Sequence, residues 1–322
     1  MGCISEITGQ TRLTGLLGSP VSHSKSPLMH NEAYRLLGLD YVYLCFDVPE
    51  NNLQVAFEGL KKLNVAGFNC TMPDKTLMSK LVDELSPAAK IIGAVNTVVN
   101  DNGKFVGHNT DGTGYIRSLQ DCGHNIVGKK MTLLGSGGAA SSICVQAALD
   151  GAREIDVLSI KDNFWSKAEK LVSDINDNTD CKVNLIEMND DSIGESVFSS
   201  DILTNATPIG MAPNTDGCLV KDSSILRPEL IVSDIIYNPL ETKLYKMAKE
   251  KGCSVFNGLY MLLYQGAEAF FLWTRVALAT FFLSCECASI VERFYVIRKS
   301  ERISYYIKMF HVKHFANFNC TQ

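Results

Sequence analysis

From residue 12 to about residue 99, short apolar runs rich in β-branched and aromatic side chains alternate with segments whose apolar positions recur every three or four residues. Residues 13–17, 41–46, 66–70 and 94–99 fit strands, the last closed by the turn residues Asn100-Asp101-Asn102-Gly103. Residues 26–37 and 53–63 fit helices. The first of these is read with Ser26 as N-cap and Pro27 at its first position, where a missing N–H breaks no intrahelical bond. Alternation of strand and helix predicts βαβ units and a mostly parallel sheet.

The same grammar restarts near Lys129. Strands are expected over 131–134, 155–160, 183–187, 202–205 and 231–236, and helices over 139–149, 163–175 and 242–251. The two sets predict two α/β units with a boundary within residues 112–128, and no internal repeat or low-complexity linker intervenes.

Composition agrees. A chain of 322 residues suits two domains of roughly 150 residues, and 46% apolar with 20% charged residues is the balance of a soluble globular protein. A net charge of −5 argues against nucleic-acid binding and against a polybasic membrane surface. The longest apolar run, residues 276–285, is about ten residues where a membrane span needs roughly 20, and residues 1–12 lack the apolar core of a signal peptide. Eleven cysteines without framework spacing read as reduced thiols, so the expected location is the cytoplasm. Cys285 and Cys287 form C-x-C with no second pair, and His311 and His314 lack a third ligand, so no metal is expected.

Gly135-x-Gly137-x-x-Ala140 stands between a predicted strand and a predicted helix. In a dinucleotide-binding turn the first glycine makes the bend and the second lets the backbone approach a pyrophosphate. A small third residue lets helix and strand pack closely. Such turns also occur for packing alone, so the surroundings matter. About two dozen residues on, just past the second strand, stand Ser159-Ile160-Lys161-Asp162. A carboxylate there accepts hydrogen bonds from a ribose 2′-OH and favours NAD, whereas a cation holds the 2′-phosphate of NADP. Asp162 points to NAD, and Lys161 keeps NADP as the alternative; Asp162 equally suits the N-cap of a helix from residue 163.

Four segments of the first half gather polar chemistry: Ser22-His23-Ser24-Lys25-Ser26-Pro27, Asn69-Cys70-Thr71-Met72-Pro73-Asp74-Lys75, Gly93-Ala94-Val95-Asn96-Thr97 and Asn109-Thr110-Asp111-Gly112. Each lies at or just after a predicted strand end, where open α/β sheets place ligands. Their hydroxyls, amides, lysine and aspartate suit a small polyhydroxy acid, whose buried hydroxyls all need partners. Taken singly, Lys75 reads as a solvated lysine, Asp111 before Gly112 as a turn residue, and Thr71 to Pro73 as a turn.

Taken in order, these segments resemble one family. The run from Gly18-Ser19-Pro20 through Ser24-Lys25-Ser26-Pro27 to His30-Asn31 looks like the opening signature of the shikimate dehydrogenases. Gly67-x-Asn69-x-Thr71-x-Pro73-x-Lys75, Gly93 to Thr97 and Asn109 to Gly112 look like its next three motifs, and Gly135 to Ala140 like its glycine-rich loop. Asn205-Ala206-Thr207-Pro208-Ile209-Gly210-Met211, the stretch from Asp234 to Pro239, and Asn257-Gly258-Leu259-x-Met261 through Gln265-Gly266-Ala267 complete the series. The likeness spans about residues 10–274, and Lys161-Asp162 resembles the shikimate/quinate branch that accepts NAD.

The resemblance implies two α/β domains. One would be a substrate-binding and catalytic domain, 1–115, with a mostly parallel sheet completed by a returning helix at 257–274. The other would be a Rossmann-like NAD(P)-binding domain, 116–256, with the active site in a cleft that closes on both ligands. It implies that Ser24 and Ser26, helped by Tyr237, hold a substrate carboxylate and that Thr71, Asn96, Asp111 and Gln265 contact ring hydroxyls. Lys75 and Asp111 would be catalytic, the lysine carrying the proton of the C3 oxygen and the aspartate orienting it. Gly135, Ser136, Gly137, Gly138, Ala139, Ser159, Lys161, Asp162, Thr207, Pro208, Ile235 and Gly258 would line the cofactor. The implied reaction is the NAD(P)-dependent reversible reduction of 3-dehydroshikimate to shikimate, with 3-dehydroquinate to quinate beside it, by a monomer or homodimer. A non-catalytic nucleotide or metabolite sensor on the same scaffold is the alternative; loss of Lys75 or Asp111 would favour it, and both are present.

Three departures stand out. Cys70 replaces a small aliphatic residue or serine, and Ile160 replaces an arginine that commonly packs on the adenine. After Trp273-Thr274 the pattern stops, and residues 275–322 carry seven Lys and Arg against three Asp and Glu. This break reads as a frameshift or read-through near residue 275, with a lineage-specific extension as the alternative; low order is expected beyond about residue 290.

Overall fold

A computed structural model of the protein describes residues 7–277. The expectations for the tail, including Cys285, Cys287, His311, His314 and order beyond residue 290, lie outside the described residues. So do residues 1–6 of the stretch weighed as a leader.

The first half builds β1 (Arg12–Gly18), α1 (Ser26–Leu37), β2 (Tyr41–Asp47), α2 (Leu53–Lys62), β3 (Gly67–Cys70), α3 (Lys75–Leu81), β4 (Glu84–Leu85), α4 (Pro87–Ile92), β5 (Thr97–Asp101) and β6 (Lys104–His108). Its sheet runs β2-β1-β3-β5-β6-β4. β1 pairs in parallel with β2 and β3, and β4 in parallel with β6, while β5 is antiparallel to β3 and β6. The parallel character expected from βαβ alternation therefore holds on the β1 side and gives way to a hairpin on the other. Asn102 and Gly103 make that hairpin, with φ of 53° and 94°, the pair of positive angles that a tight turn between twisted strands requires. The predicted turn at 100–103 starts two residues late, because Asn100 and Asp101 still pair with Phe105 and Lys104.

Ser26 is a second correction. Lys25 occupies the N-cap of α1 without a side-chain cap, and Ser26 is the first helical residue.

The second half comprises α5 (Asp111–Asp121), β7 (Lys130–Leu134), α6 (Gly138–Leu149), β8 (Glu154–Ser159), α7 (Trp165–Asn178), β9 (Lys182–Glu187), α8 (Asp190–Phe198), β10 (Ile202–Asn205), β11 (Ile231–Asp234), α9 (Lys243–Glu250), β12 (Ser254–Asn257) and α10 (Leu259–Thr274). Its sheet, β12-β11-β10-β7-β8-β9, is wholly parallel, with the strand order reversing beside β7. In such doubly wound sheets ligands bind at that reversal, beyond the strand ends.

Residues 112–121, expected to hold a boundary, are helical and pack against both α6 and α10. Glycines make this possible. A Cβ at Gly114 would stand 2.6 Å from the Met261 carbonyl oxygen, and one at Gly112 2.2 Å from that of Ser142. From the second sheet α10 returns to the first. There Phe270 and Trp273 are buried with Tyr34 and Tyr43, and the Trp273 indole donates to the Val98 carbonyl at 3.0 Å. Among the described residues no helix is long and apolar enough to cross a membrane.

Candidate active site

Lys75 begins α3, immediately after the loop that leaves β3. That loop is held by Thr71 N–H donating to the Leu17 carbonyl at 2.9 Å, and Val95 N–H donates to the Lys75 carbonyl at 2.9 Å. Asp111 is the first residue of α5, just beyond β6. Lys75 Nζ donates to Asp111 Oδ2 at 2.8 Å, and Asn96 Nδ2 donates to Asp111 Oδ1 at 2.8 Å. The lysine and aspartate side chains are 31% and 19% exposed, so the pair is oriented by the protein yet reachable by a ligand.

Asn96 is itself locked. Its Oδ1 accepts the Thr110 N–H at 2.8 Å and the Thr97 hydroxyl at 3.0 Å, which leaves its amide hydrogens for Asp111 and the Thr110 hydroxyl. Behind it, Asn69 Nδ2 donates to the Asn96 carbonyl at 3.1 Å and to Thr97 Oγ1 at 3.0 Å, and the Tyr43 hydroxyl donates to Asn69 Oδ1 at 2.8 Å. The structure thus joins Lys75, Asp111 and Asn96 in one network that ends on Tyr43. Ser24 accepts the Ser26 N–H at 3.3 Å. Thr71 is partly buried one turn before Lys75. Gln265 lies on α10 where that helix meets α5, its amide donating to the Leu262 carbonyl at 3.0 Å. Tyr237 is 41% exposed on the loop after β11. The supporting residues Tyr43, Thr97 and Thr110 carry no role in the sequence reading. Asn69, Thr97 and Thr110 sit inside the polar motifs, which is the signal that could have found them, whereas Tyr43 shows only as a strand residue.

The glycine-rich turn fits a dinucleotide. Gly135 leaves β7 at φ 106°, and a Cβ there would crowd Thr207 Cγ2 at 2.9 Å and the Ala206 carbonyl at 3.1 Å. Gly137 and Gly138 face open space: a Cβ on either would have no atom within 4 Å, the opening a phosphate group needs at a helix start. Ala140 is buried against β7 in the third small position. Ser136 and Ser159 share a hydrogen bond of 2.7 Å across the first two strand ends. Opposite, Asn205 Oδ1 accepts from both the N–H and the hydroxyl of Thr207, at 3.1 and 2.7 Å, shaping the loop that Pro208 continues. Gly258 admits no side chain, since a Cβ would lie 1.7 Å from the Ile235 carbonyl oxygen.

Asp162 is exposed, and its Oδ1 accepts the Phe164 N–H at 2.8 Å. It is not the cap of a helix from 163: α7 starts at Trp165 with Phe164 as its N-cap. Lys161 Nζ lies 5.8 Å from the Trp165 ring centre, and Ile160 is exposed beside it. The glycine-rich turn and the Lys75–Asp111 pair are neighbours, because Gly112, next to Asp111, packs on Ser142, one helical turn after Gly138.

Among the described residues, one buried carboxylate is left without a hydrogen bond. Asp74 is fully buried at the N-cap of α3, and neither oxygen has a hydrogen bond. Burial, reinforced by Glu50, raises its pKa. The native state therefore holds this proton more tightly than the unfolded chain, so the contribution favours folding at low pH and is lost as pH rises through the folded pKa. Asp74→Asn, which cannot ionise, is expected to raise stability at pH 8 by about 1 kcal/mol, roughly 2–4 °C in Tm, with the gain vanishing near pH 3. Thermal melts across that range check it; a loss at pH 8 would show that the ionised carboxylate is compensated.

Comparison with known proteins sharpens the picture. Residues 16–98 match the family model described as the shikimate dehydrogenase substrate binding domain. The chain is 52% identical over 270 residues to the shikimate dehydrogenase (NADP(+)) of Listeria monocytogenes serotype 4b (strain F2365), covering 84% of this chain and 93% of that protein. Shikimate 5-dehydrogenase from Listeria monocytogenes, solved in complex with shikimate and NAD, superposes with a TM-score of 0.83 at 50% identity, covering 86% of this chain and 96% of that one. Quinate dehydrogenase from Corynebacterium glutamicum, in complex with NAD, gives a TM-score of 0.73 at 30% identity, covering 83% and 95%.

Proposed function

This chain belongs to the shikimate dehydrogenase family, and we propose that it catalyses the NAD(P)-dependent reversible reduction of 3-dehydroshikimate to shikimate in aromatic amino-acid biosynthesis. Quinate is proposed as a second substrate, after the quinate dehydrogenase with which it shares its fold. The observation that carries the reading is the Lys75–Asp111 pair at 2.8 Å, standing one helical contact away from the open glycine turn of α6.

We assign residues 1–115, with the returning helix at 257–274, to substrate binding and 116–256 to the cofactor, and we place the enzyme in the cytoplasm as a monomer or homodimer. The bound nicotinamide supplies the hydride acceptor or donor. Lys75 gives a proton to the C3 oxygen during reduction and takes it back during oxidation, while its ammonium stabilises charge developing there. Asp111, held by Asn96, keeps Lys75 Nζ in place and accepts a hydrogen bond from a ring hydroxyl. Thr71, Asn96 and Gln265 supply the other hydroxyl contacts, and Ser24, Ser26 and Tyr237 receive the carboxylate. Gly135 to Ala139, Ser159, Lys161, Asp162, Thr207, Pro208, Ile235 and Gly258 line the dinucleotide.

NAD is the proposed preferred cofactor. Asp162 presents a carboxylate where a 2′-phosphate would be repelled, and Lys161 is drawn toward the Trp165 ring. Steady-state oxidation of shikimate and quinate with NAD and NADP, compared as kcat/KM, tests both parts. Turnover of shikimate with NAD ahead of NADP is expected, and Asp162→Ala should narrow that preference about tenfold. Binding of both ligands without turnover would favour the sensor reading instead.

A further inference from the structure

We infer that Tyr43 is a positioning residue for the Lys75–Asp111 pair, an inference that rests on the function proposed above. Tyr43 is wholly buried on β2, an edge strand separated from β5 by β1 and β3. From its hydroxyl a chain of hydrogen bonds crosses the sheet. Tyr43 donates to Asn69, Asn69 to Thr97 at 3.0 Å, Thr97 to Asn96 at 3.0 Å, and Asn96 to Asp111 at 2.8 Å, where Lys75 closes the line.

Two backbone groups fix the direction of this chain. The Asn96 carbonyl can only accept, so Asn69 must turn its NH2 toward it. The Thr110 N–H can only donate, so Asn96 must present Oδ1 to it and NH2 to Asp111. With both amides so oriented, Asn69 Oδ1 needs a donor, and Tyr43 is the one bonded to it, at 2.8 Å. A buried acceptor stripped of its donor costs free energy, and the Asn96 carbonyl keeps the amide from turning to relieve it. Asn69 would instead shift toward another donor, loosening its bonds to Asn96 and Thr97 and with them the carboxylate that holds Lys75 Nζ.

The phenol is held in turn. Its ring stacks on His30 at 4.4 Å between centres and 19° between planes, with Trp273 tilted against it at 6.0 Å.

Tyr43→Phe keeps the ring and removes that oxygen. The expected result is a fall of about tenfold in kcat for shikimate oxidation, with the KM for NAD unchanged and the KM for shikimate raised no more than about threefold. Thr97→Val interrupts the chain one step later and should give a similar fall. The double variant should then lose no more than the worse single, because both break one line of coupling. Tyr34→Phe is the control: it removes a buried phenol bonded to Thr14 at 2.9 Å in the same aromatic cluster, and should lower Tm while leaving kcat unchanged. Normal kcat in Tyr43→Phe, multiplicative losses in the double variant, or an equal kcat loss in Tyr34→Phe overturns the inference. Should Tyr43→Phe fail to fold, normal kcat in Thr97→Val overturns it alone. A wild-type enzyme that does not oxidise shikimate overturns the underlying reading before any variant is compared.

Discussion

Lys75→Ala is expected to lower kcat for shikimate oxidation by at least about 10²-fold while changing the KM for shikimate little, the pattern of a lost proton carrier rather than a lost binding group. The geometry explains why the loss should fall on kcat. Lys75 Nζ is bonded to Asp111 and its side chain is 31% exposed, so the ammonium is held by the protein yet reachable by a ligand. Asp111 keeps its Asn96 bond in the variant, and the residues proposed to hold ground-state substrate, Ser24, Ser26, Thr71 and Asn96, remain. Lys75→Arg is a useful companion. It preserves the positive charge, but a guanidinium does not give up its proton near neutral pH, so turnover should stay as low as in Lys75→Ala while ligand binding is kept. Stopped-flow or steady-state rates with NAD decide the matter, and near-normal turnover in Lys75→Ala sinks the assignment.

A steep loss of stability below about pH 6.5 is the second large effect, and His30 is its source. The ring is 1% exposed, packed by Tyr43, Tyr34, Phe270 and Trp273, and its Nδ1 has no hydrogen-bond partner. Burial alone lowers its pKa from 6.5 to about 3. The phenols that face it, Tyr34 and Tyr43, are pushed upward by their own burial and stay neutral across this window. An unfolded histidine gains a proton near pH 6.5, whereas the native one refuses it until about pH 3. The unfolded state therefore binds more protons in between, and stability, fully present above pH 6.5, falls as pH drops. The loss attributable to His30 is roughly 3 kcal/mol by pH 4. Urea unfolding of wild type and His30→Phe at pH 7, 5.5 and 4 isolates it, since carboxylates common to both cancel. Parallel stability–pH curves would show that another group governs the acid limb.

Legibility followed the range over which each feature is decided. The turn from Gly135 to Ala140 was readable because strand, bend and helix are consecutive, and the demands on each position are local. The strands at the heart of the second sheet, β7, β8, β10 and β11, were readable for the same reason: they pair in parallel and are buried, so each appears as an apolar run. β6 and β12 escaped because Lys104–His108 and Ser254–Asn257 are short and interrupted by polar residues; their neighbours in the sheet, not their own composition, make them strands. α5 escaped because Gly112 and Gly114 weaken a helix in isolation, and become useful only when α6 and α10 press against them.

The candidate site divides along the same line. By itself the sequence determined which chemical groups the protein carries, the order of its motifs and the family they resemble, since these are written in consecutive residues. That Lys75 and Asp111 meet at 2.8 Å, that Asn96 points its amide at the carboxylate, and that Tyr43 stands behind both was decided by tertiary structure. The residues concerned lie 15 to 36 positions apart where they touch. Only the lateral order of the strands brings such distant positions together, and only buried backbone donors and acceptors, which must all be paired, force the amides between them into one orientation.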